Sequence, residues 1–384
     1  MNITESVLNK FRELFNEDPL IIRSPGRVNL IGEHTDYNMG FVLPAAIDKA
    51  IYFAITPRND ETCSVFSLDM NDSIQYQVSS IKKQEKSWPN YLMGVVDQLN
   101  KRGHKTKGFN CVFGGDIPLG AGLSSSAALG AGLAFALNHI FNLGIDKLSL
   151  VKLAQKAENE FVGVNCGIMD QYINIFGAAQ KVLKIDCRSL EYEYYPFVNN
   201  NLRIVLCNTM VTHSLASSEY NTRRIQCERG VKILQYSNPD IKSLRDVSLE
   251  LLFSNETDLD KVIFRRCKYV IEENERVTKA CEDLEKKDFS SFGKRMYQSH
   301  NGLSKEYEVS CEELDFLVDE ASHHEGVLGG RMMGGGFGGC TINLVRKDFV
   351  ESFKQSIEES YYNRYGKKPP VYACTIEEGT HIIS

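Results

Sequence analysis

Apolar positions near the start of the chain recur with helical period: Val7, Leu8, Phe11, Leu14 and Phe15 after Thr4 predict an amphipathic helix. The pattern then changes. Segments 20–23, 50–57, 64–68 and 74–78 are short, β-branched or alternating runs between turn residues, which predicts strands. Segment 88–99 has helical spacing, and 109–113 reads as a strand leading into a long stretch without charge. Helices are expected at 125–141 and 148–161. After strands at 182–187 and 202–207 the balance tips towards helix, at 218–235, 258–286, 289–307 and 312–323. A glycine cluster, 334–339, precedes a strand at 341–345, a helix at 349–362 and a last strand at 371–376. No internal repeat or long linker interrupts this order. The shift near residue 200 divides the chain into 1–198, to which the C-terminal strand can return, and 199–384.

The length of 384 residues suits two or three compact units at about 150 residues each. A net charge of −6 argues against a broad cationic surface for nucleic acid or anionic lipid. Any phosphate-bearing ligand must therefore be held locally. The eleven cysteines are scattered, with no CxxC and no histidine at zinc-ligand spacing, so reduced thiols and a cytoplasmic setting are expected. Glu5 and the lack of an apolar run near the start argue against a secretory signal. Residues 117–145 contain no Asp, Glu, Lys or Arg, and that stretch exceeds the about 20 residues of a membrane span. Pro118, Gly120, Gly122 and three consecutive serines in its first third, with Asn138 and His139 near its end, speak against a membrane.

Three knots of residues carry candidate chemistry. The first is SPGRVNLIGEHTDYNMGFVLPAAI at 24–47, where Glu33, His34 and Asp36 crowd between apolar runs with Arg27 just upstream. A solvated turn is an even alternative, since Asp, Asn and Gly are ordinary turn residues. An EF-hand fails, because positions six and twelve counted from Asp36 hold Phe41 and Ile47 in place of Gly and Glu. Dense acceptors suit a polyhydroxylated ligand such as a sugar. The second knot is PLGAGLSSSAA at 118–128, between a strand and a helix. Unpaired N–H groups and the dipole at a helix N-terminus can bind phosphate without a lysine. One serine would serve as a helix cap, but three exceed that need, and a hydroxyl there can also ligate Mg²⁺. No Walker A, HRD or DFG motif occurs.

The third knot comprises two lone acids. Glu158 shares a helical stripe with Val151, Ala154 and Phe161, so it must meet a cation: a structural Lys or Arg and Mg²⁺ are equal alternatives. Asp170, in NCGIMDQYINIFG, reads as a helix cap ahead of a functional carboxylate. Gly334, Gly336 and Gly339 match GxGxxG, yet a strand follows where a dinucleotide site requires a helix. A loop closing on a ligand, or tight packing between domains, remains.

Taken together, GRVNLIGEHTDYNMGFVLPAAI, PLGAGLSSSAA, AENEFVGVNCGIMDQ, SEYNTRR and MMGGGFGGC resemble the galactokinases of the GHMP kinase superfamily, in matching order from residue 23 to about 345. The resemblance implies a two-domain α+β GHMP kinase fold with its active site in the interdomain cleft. It implies transfer of the ATP γ-phosphoryl to the anomeric hydroxyl of galactose, the entry step of galactose catabolism, with Mg²⁺ as cofactor. Glu33, His34, Thr35, Asp36, Gly167, Asp170 and Tyr220 would contact the sugar. Gly120, Ala121, Gly122, Leu123, Ser124, Ser125 and Ser126 would hold the phosphates, Ser126 and Glu158 the metal, and Ser67, Trp88 and Tyr91 the nucleotide base. Asp170 and Arg27 would be the catalytic pair, Asp170 taking the proton and Arg27 neutralising phosphoryl charge. Arg223 and Arg224 are expected in helix-face salt bridges. The partners implied are galactose and MgATP, with no nucleic acid or membrane, and a monomer as the simplest state. A kinase of N-acetylgalactosamine or another hexose, and a sugar and ATP sensor that binds a transcriptional regulator without turnover, are the rival readings.

Overall fold

The structure is a computed structural model that describes residues 2–383 apart from 119, 165 and 212–215. Helix α1 (Ile3–Phe15) opens the chain behind a capping box, in which Asn2 accepts from the Thr4 N–H and Glu5 from the Asn2 N–H. Its buried Val7 and Phe11 pack on Ile21, Ala54 and Val112. Strand β1 (Leu20–Asn29) extends past its apolar start, because Pro25 and Gly26 sit at a bulge and do not end it. Next come β2 (Phe41–Val42), β3 (Pro44–Pro57), β4 (Thr62–Ser67), β5 (Asp72–Gln77), α2 (Ser87–Lys101) and β6 (Phe109–Gly115). Helix α3 (Ser125–Ile140) is followed by α4 (Lys147–Lys156), which runs directly into a π-type turn at Ala157–Val162. A single helix over 148–161 was the expectation; the wider turn breaks it at Glu158. Then follow α5 (Met169–Phe176), β7 (Lys181–Asp186), β8 (Tyr192–Pro196) and β9 (Leu202–Asn208).

The second half contains α6 (Ala216–Ser237), α7 (Leu249–Ser254), α8 (Lys261–Glu285) and α9 (Phe289–Asn301), the last continuing into another π-type turn at Gly302–Glu306. It closes with α10 (Glu312–His323), β10 (Val327–Met332), β11 (Cys340–Arg346), α11 (Val350–Tyr365), β12 (Val371–Cys374) and β13 (His381–Ile382). Strand β10 escapes sequence reading because VLGGRM has neither alternation nor a β-branched run.

Three sheets result. Six strands in the order β13-β1-β3-β6-β4-β5 pair antiparallel except for β4 with β6, so the last strand returns to the first sheet. Strands β10-β11-β9-β12 form the second sheet and β2-β7-β8 the third. Helix α3 is apolar nearly all round and packs against α2, α4, α5, β1 and β3. Its lack of charge is therefore core chemistry: among the described residues no helix is long and apolar enough to cross a membrane. The largest core cluster joins the first sheet to the second through residues such as Ile22, Phe53 and Leu133 on one side and Leu206, Phe292 and Ile342 on the other.

Candidate active site

Two cavities collect the candidate residues. The larger, about 540 Å³, is lined by Arg27, Glu33, His34, Asp36, Gly167, Asp170, Tyr220 and Gly334–Gly336, so both halves of the chain build its wall. The other, about 490 Å³, is lined by Ser67, Trp88, Tyr91, Ser125 and Ser126 together with apolar Phe113 and Leu129. The sugar and nucleotide-base candidates thus segregate into separate spaces. Trp88 also has a structural tie, since its indole N–H donates to Asp72 at 3.2 Å and its ring leans on Phe113.

Arg27 joins the larger cavity to the loop before α3. Its Nε and Nη2 donate to the two Asp170 oxygens at 2.7 and 2.8 Å, and its Nη1 to the Gly122 carbonyl at 2.6 Å. Burial opposes the Arg27 charge, but Asp170 beside it outweighs that penalty and raises the guanidinium pKa. Asp170 lies in the first turn of α5 behind an Ile168 cap, so the cap reading of this acid is wrong. Its carboxylate turns to Arg27 and accepts a hydrogen bond from the Ser124 hydroxyl.

That bond also removes the cap alternative for Ser124. Ser124 precedes α3 with φ of 58° and makes no side-chain cap bond; its hydroxyl faces Asp170. Gly120 and Gly122 adopt positive φ, which folds the loop back towards Arg27. The side chains of Ala121 and Leu123 are buried, so only their backbone is free for a ligand, and the Leu123 carbonyl already accepts from the Arg27 N–H. Leu119, inside the same loop, lies outside the described residues.

Glu158 sits in the π-type turn, buried, with Gln171 donating to its Oε1 at 2.6 Å and Ser126 bonded to it as well. Among the described residues no Lys or Arg pairs with it, so the structural salt bridge is excluded. Burial pushes its carboxyl up to about 7. No group of three or more His, Cys, Asp or Glu among the described residues could hold a metal ion. A buried carboxylate beside a hydroxyl nonetheless fits Mg²⁺, which keeps most of its waters and takes one or two protein oxygens next to phosphate.

The sugar-side residues divide into contacts and supports. His34 and Asp36 open onto the cavity, and burial keeps the His34 imidazole neutral, its pKa lowered to about 3. Burial likewise raises Asp36 to about 6, with Asp170 and Glu33 adding to it. Thr35 does not face the cavity: it is fully buried, and its hydroxyl lies 2.8 and 2.6 Å from the Gly32 and Phe41 carbonyls, between which its one proton is shared. Glu33 lines the wall, but its oxygens already accept from Asn29, Arg331 and the Gly334 N–H. Arg331 was missed on sequence. It is fully buried in β10 and also donates to the Asn29, Leu30 and Met332 carbonyls. A charge in an apolar strand just before a glycine cluster was the available signal. Arg223 and Arg224 do form i,i+4 pairs with Glu219 and Glu228, and Arg223 also donates to the Tyr307 and Glu308 carbonyls.

Glycine matters sterically at two places. A Cβ on Gly336 would stand 2.1 Å from the Val309 carbonyl oxygen, so the cluster packs tightly while lining the cavity. A Cβ on Gly167 would stand 2.0 Å from Asp36 Oδ2. Gly167→Ala is therefore expected to displace Asp36 and raise the KM for the sugar that the resemblance implies about tenfold, the loss of one hydrogen bond to a charged group, with the KM for the implied nucleotide unchanged in steady-state assays.

Residues 9–57 match the galactokinase galactose-binding signature. The GHMP kinase N-terminal and C-terminal domains match 90–178 and 280–363. A galactokinase from a Roseiflexus species is 41% identical over 377 residues, 98% of this chain and 96% of the relative. This chain belongs to the galactokinase family. A galactokinase from Clostridium acetobutylicum is also 41% identical, over the full length of both chains. Among solved structures, Lactococcus lactis galactokinase complexed with galactose superposes with a TM-score of 0.94 at 35% identity, covering 99% of this chain and 100% of that one. A mevalonate kinase superposes at 0.63 with 19% identity, covering 94% and 99%, and shares the fold. The two-domain GHMP kinase architecture inferred from sequence is thus the one observed.

Proposed function

We propose that the larger cavity binds galactose, the smaller one the base of ATP, and that Asp170 takes the proton from the anomeric hydroxyl as the γ-phosphoryl passes to it. The products are galactose 1-phosphate and ADP. One observation carries the reading: the Asp170 carboxylate faces the sugar-side cavity while its partner Arg27 grips Gly122 in the loop beside the nucleotide-side cavity. The two reactants would meet at that pair.

The α3 N-terminus supplies N–H groups left uncapped by any serine, a fit for phosphate oxygens. Arg27 would neutralise charge on the transferred group, and phosphoryl transfer owes most of its rate to such positioning and electrostatics. Glu158 and Ser126 would hold Mg²⁺, which when bound screens the phosphate charge. Because a single chain lines the whole cleft, it would work as a monomer, and eleven free thiols favour a cytoplasmic setting. A coupled assay of ADP release with galactose, N-acetylgalactosamine, mevalonate and homoserine tests the reading. Turnover is expected with galactose, and silence with every sugar would overturn it in favour of a sensor.

The pH profile follows from Asp36. With its carboxyl at about 6, Asp36 is ionised above that pH and accepts hydroxyl hydrogen bonds at full strength. Below it the proton blocks an acceptor. kcat/KM for galactose, which reports the free enzyme, should fall about tenfold per unit on the acid side of pH 6. In Asp36→Asn that limb should flatten at a lower plateau. An acid limb unchanged in the variant would assign it to another group.

A further inference from the structure

One imidazole nitrogen at the sugar-side cavity has no well-formed hydrogen bond among the described residues. His34 Nε2 is buried, the Gly335 backbone lies against the ring, and the ring lines the cavity. The other nitrogen, Nδ1, lies 2.7 Å from the Tyr37 hydroxyl, which lies 2.9 Å from the Tyr307 hydroxyl, which lies 3.2 Å from Cys227 Sγ. Asn38 bonds to the same thiol and donates to the His34 carbonyl at 2.8 Å. Cys227 and Tyr307 are fully buried, and the rings of Tyr37, Tyr220 and Tyr307 surround the imidazole. Cys227 and Tyr307 are closed off from water, so the groups at that end of the chain must satisfy one another.

We propose that Cys227, Tyr307 and Tyr37 are positioning residues for the sugar: their hydrogen-bonded chain holds His34 as the Nε2–H tautomer, aimed to donate to a hydroxyl of the bound hexose. The inference rests on the reading of this cavity as the galactose site. A neutral imidazole has one N–H, and the bond at one nitrogen decides which nitrogen carries it. Burial keeps His34 neutral, so the choice is real. Two directions are open to the chain. If His34 Nδ1–H donated to Tyr37, the hydroxyls would donate in turn towards Cys227, which already bonds Asn38, and the S–H proton would be stranded in a closed space. If S–H donates to Tyr307, Tyr307 to Tyr37 and Tyr37 to Nδ1, then every group donates once and accepts once. A phenol donating to imidazole nitrogen is also a stronger bond than the reverse. The second direction leaves Nε2 with the proton, facing the cavity beside the Gly335 carbonyl. The positions come from three separate elements, so nothing in their sequence spacing announces the chain.

Tyr307→Phe removes one link and keeps the ring. Its galactose KM should rise about tenfold, with kcat and the KM for ATP within about twofold. Cys227→Ser restores a donor and should keep the parental KM, whereas Cys227→Ala should follow Tyr307→Phe in part. In ¹⁵N-histidine spectra, with the His34 signal assigned by its loss in His34→Ala, the unsubstituted enzyme should show a protonated Nε2 and a bare Nδ1. Tyr307→Phe should show a tautomer mixture. A parental galactose KM in both Tyr307→Phe and Cys227→Ala, or a protonated Nδ1 in the unsubstituted enzyme, would overturn the proposal. His34→Ala separates the two levels: a raised KM there with none in the chain variants sinks the inference alone, and an unchanged KM in His34→Ala sinks the sugar-site reading with it.

Discussion

Replacing Asp170 with asparagine should lower kcat for galactose by about 10²–10⁴-fold, the contribution of a positioned general base. Asparagine keeps the size of the side chain and one acceptor oxygen for Arg27, whose Nη1 still has the Gly122 carbonyl. What disappears is the negative charge that would take the proton. The site is 26% exposed at Asp170, so loss of the ion pair is softened by solvent and the fold should persist. The KM for galactose should change only a few-fold, because His34 and Asp36 remain. A competing view assigns nearly all of the rate to positioning and phosphate electrostatics, since little bonding to the nucleophile develops in a loose transition state. Initial rates at saturating ATP, with a thermal scan to confirm folding, distinguish the two. A kcat within tenfold of the parent would remove Asp170 from the role of base.

The second large effect concerns stability. Arg331→Met should cost about 3–5 kcal/mol, the range for breaking a buried ion pair by removing one partner. Arg331 is wholly buried, and its guanidinium joins the second sheet to the end of β1 through the Asn29 and Leu30 carbonyls and the Glu33 carboxylate. Methionine fills much of the volume but leaves those carbonyls without donors and Glu33 with only Asn29 and the Gly334 N–H. Arg331→Lys should not rescue it, because a point-like ammonium cannot span several acceptors set around a planar fork. Chemical denaturation measures the loss, and galactose binding should weaken with it. An unchanged denaturation midpoint would show that Arg331 does not clamp the two sheets together.

Much of the secondary structure is legible from periodicity, with failures where the chain carries more than one demand. The helix expected at 148–161 contains Glu158, and its last turn widens to π geometry at that carboxylate. The strand at 20–23 runs on to Asn29 because the bulge at Pro25 carries it past residues that usually end a strand. In the site, Arg27, His34, Asp36, Gly167, Asp170 and Tyr220 were named from sequence and do share one cavity. Thr35 does not reach the cavity and the Ser124 hydroxyl is taken by Asp170, since a motif fixes residue identity without saying which hydroxyls the backbone or a neighbouring acid will use. Arg331 and Tyr307 were not named at all. Their partners lie about 300 and 270 residues away in sequence, a separation no local pattern encodes.

By itself the sequence determined the family, the order of most helices and strands, and the chemical types that a sugar, a phosphate chain and a divalent cation would need. Those depend on local spacing and composition, which a chain displays before it folds. Only the tertiary structure decided that the sugar and nucleotide candidates line two cavities, that Asp170 faces Arg27 and does not cap its helix, that Glu158 meets no Lys or Arg among the described residues, and that His34 ends a buried hydrogen-bond chain. Each of these turns on which polar groups are left unpaired once the core has closed. That balance is set by contacts between distant segments, and desolvation gives it its energy.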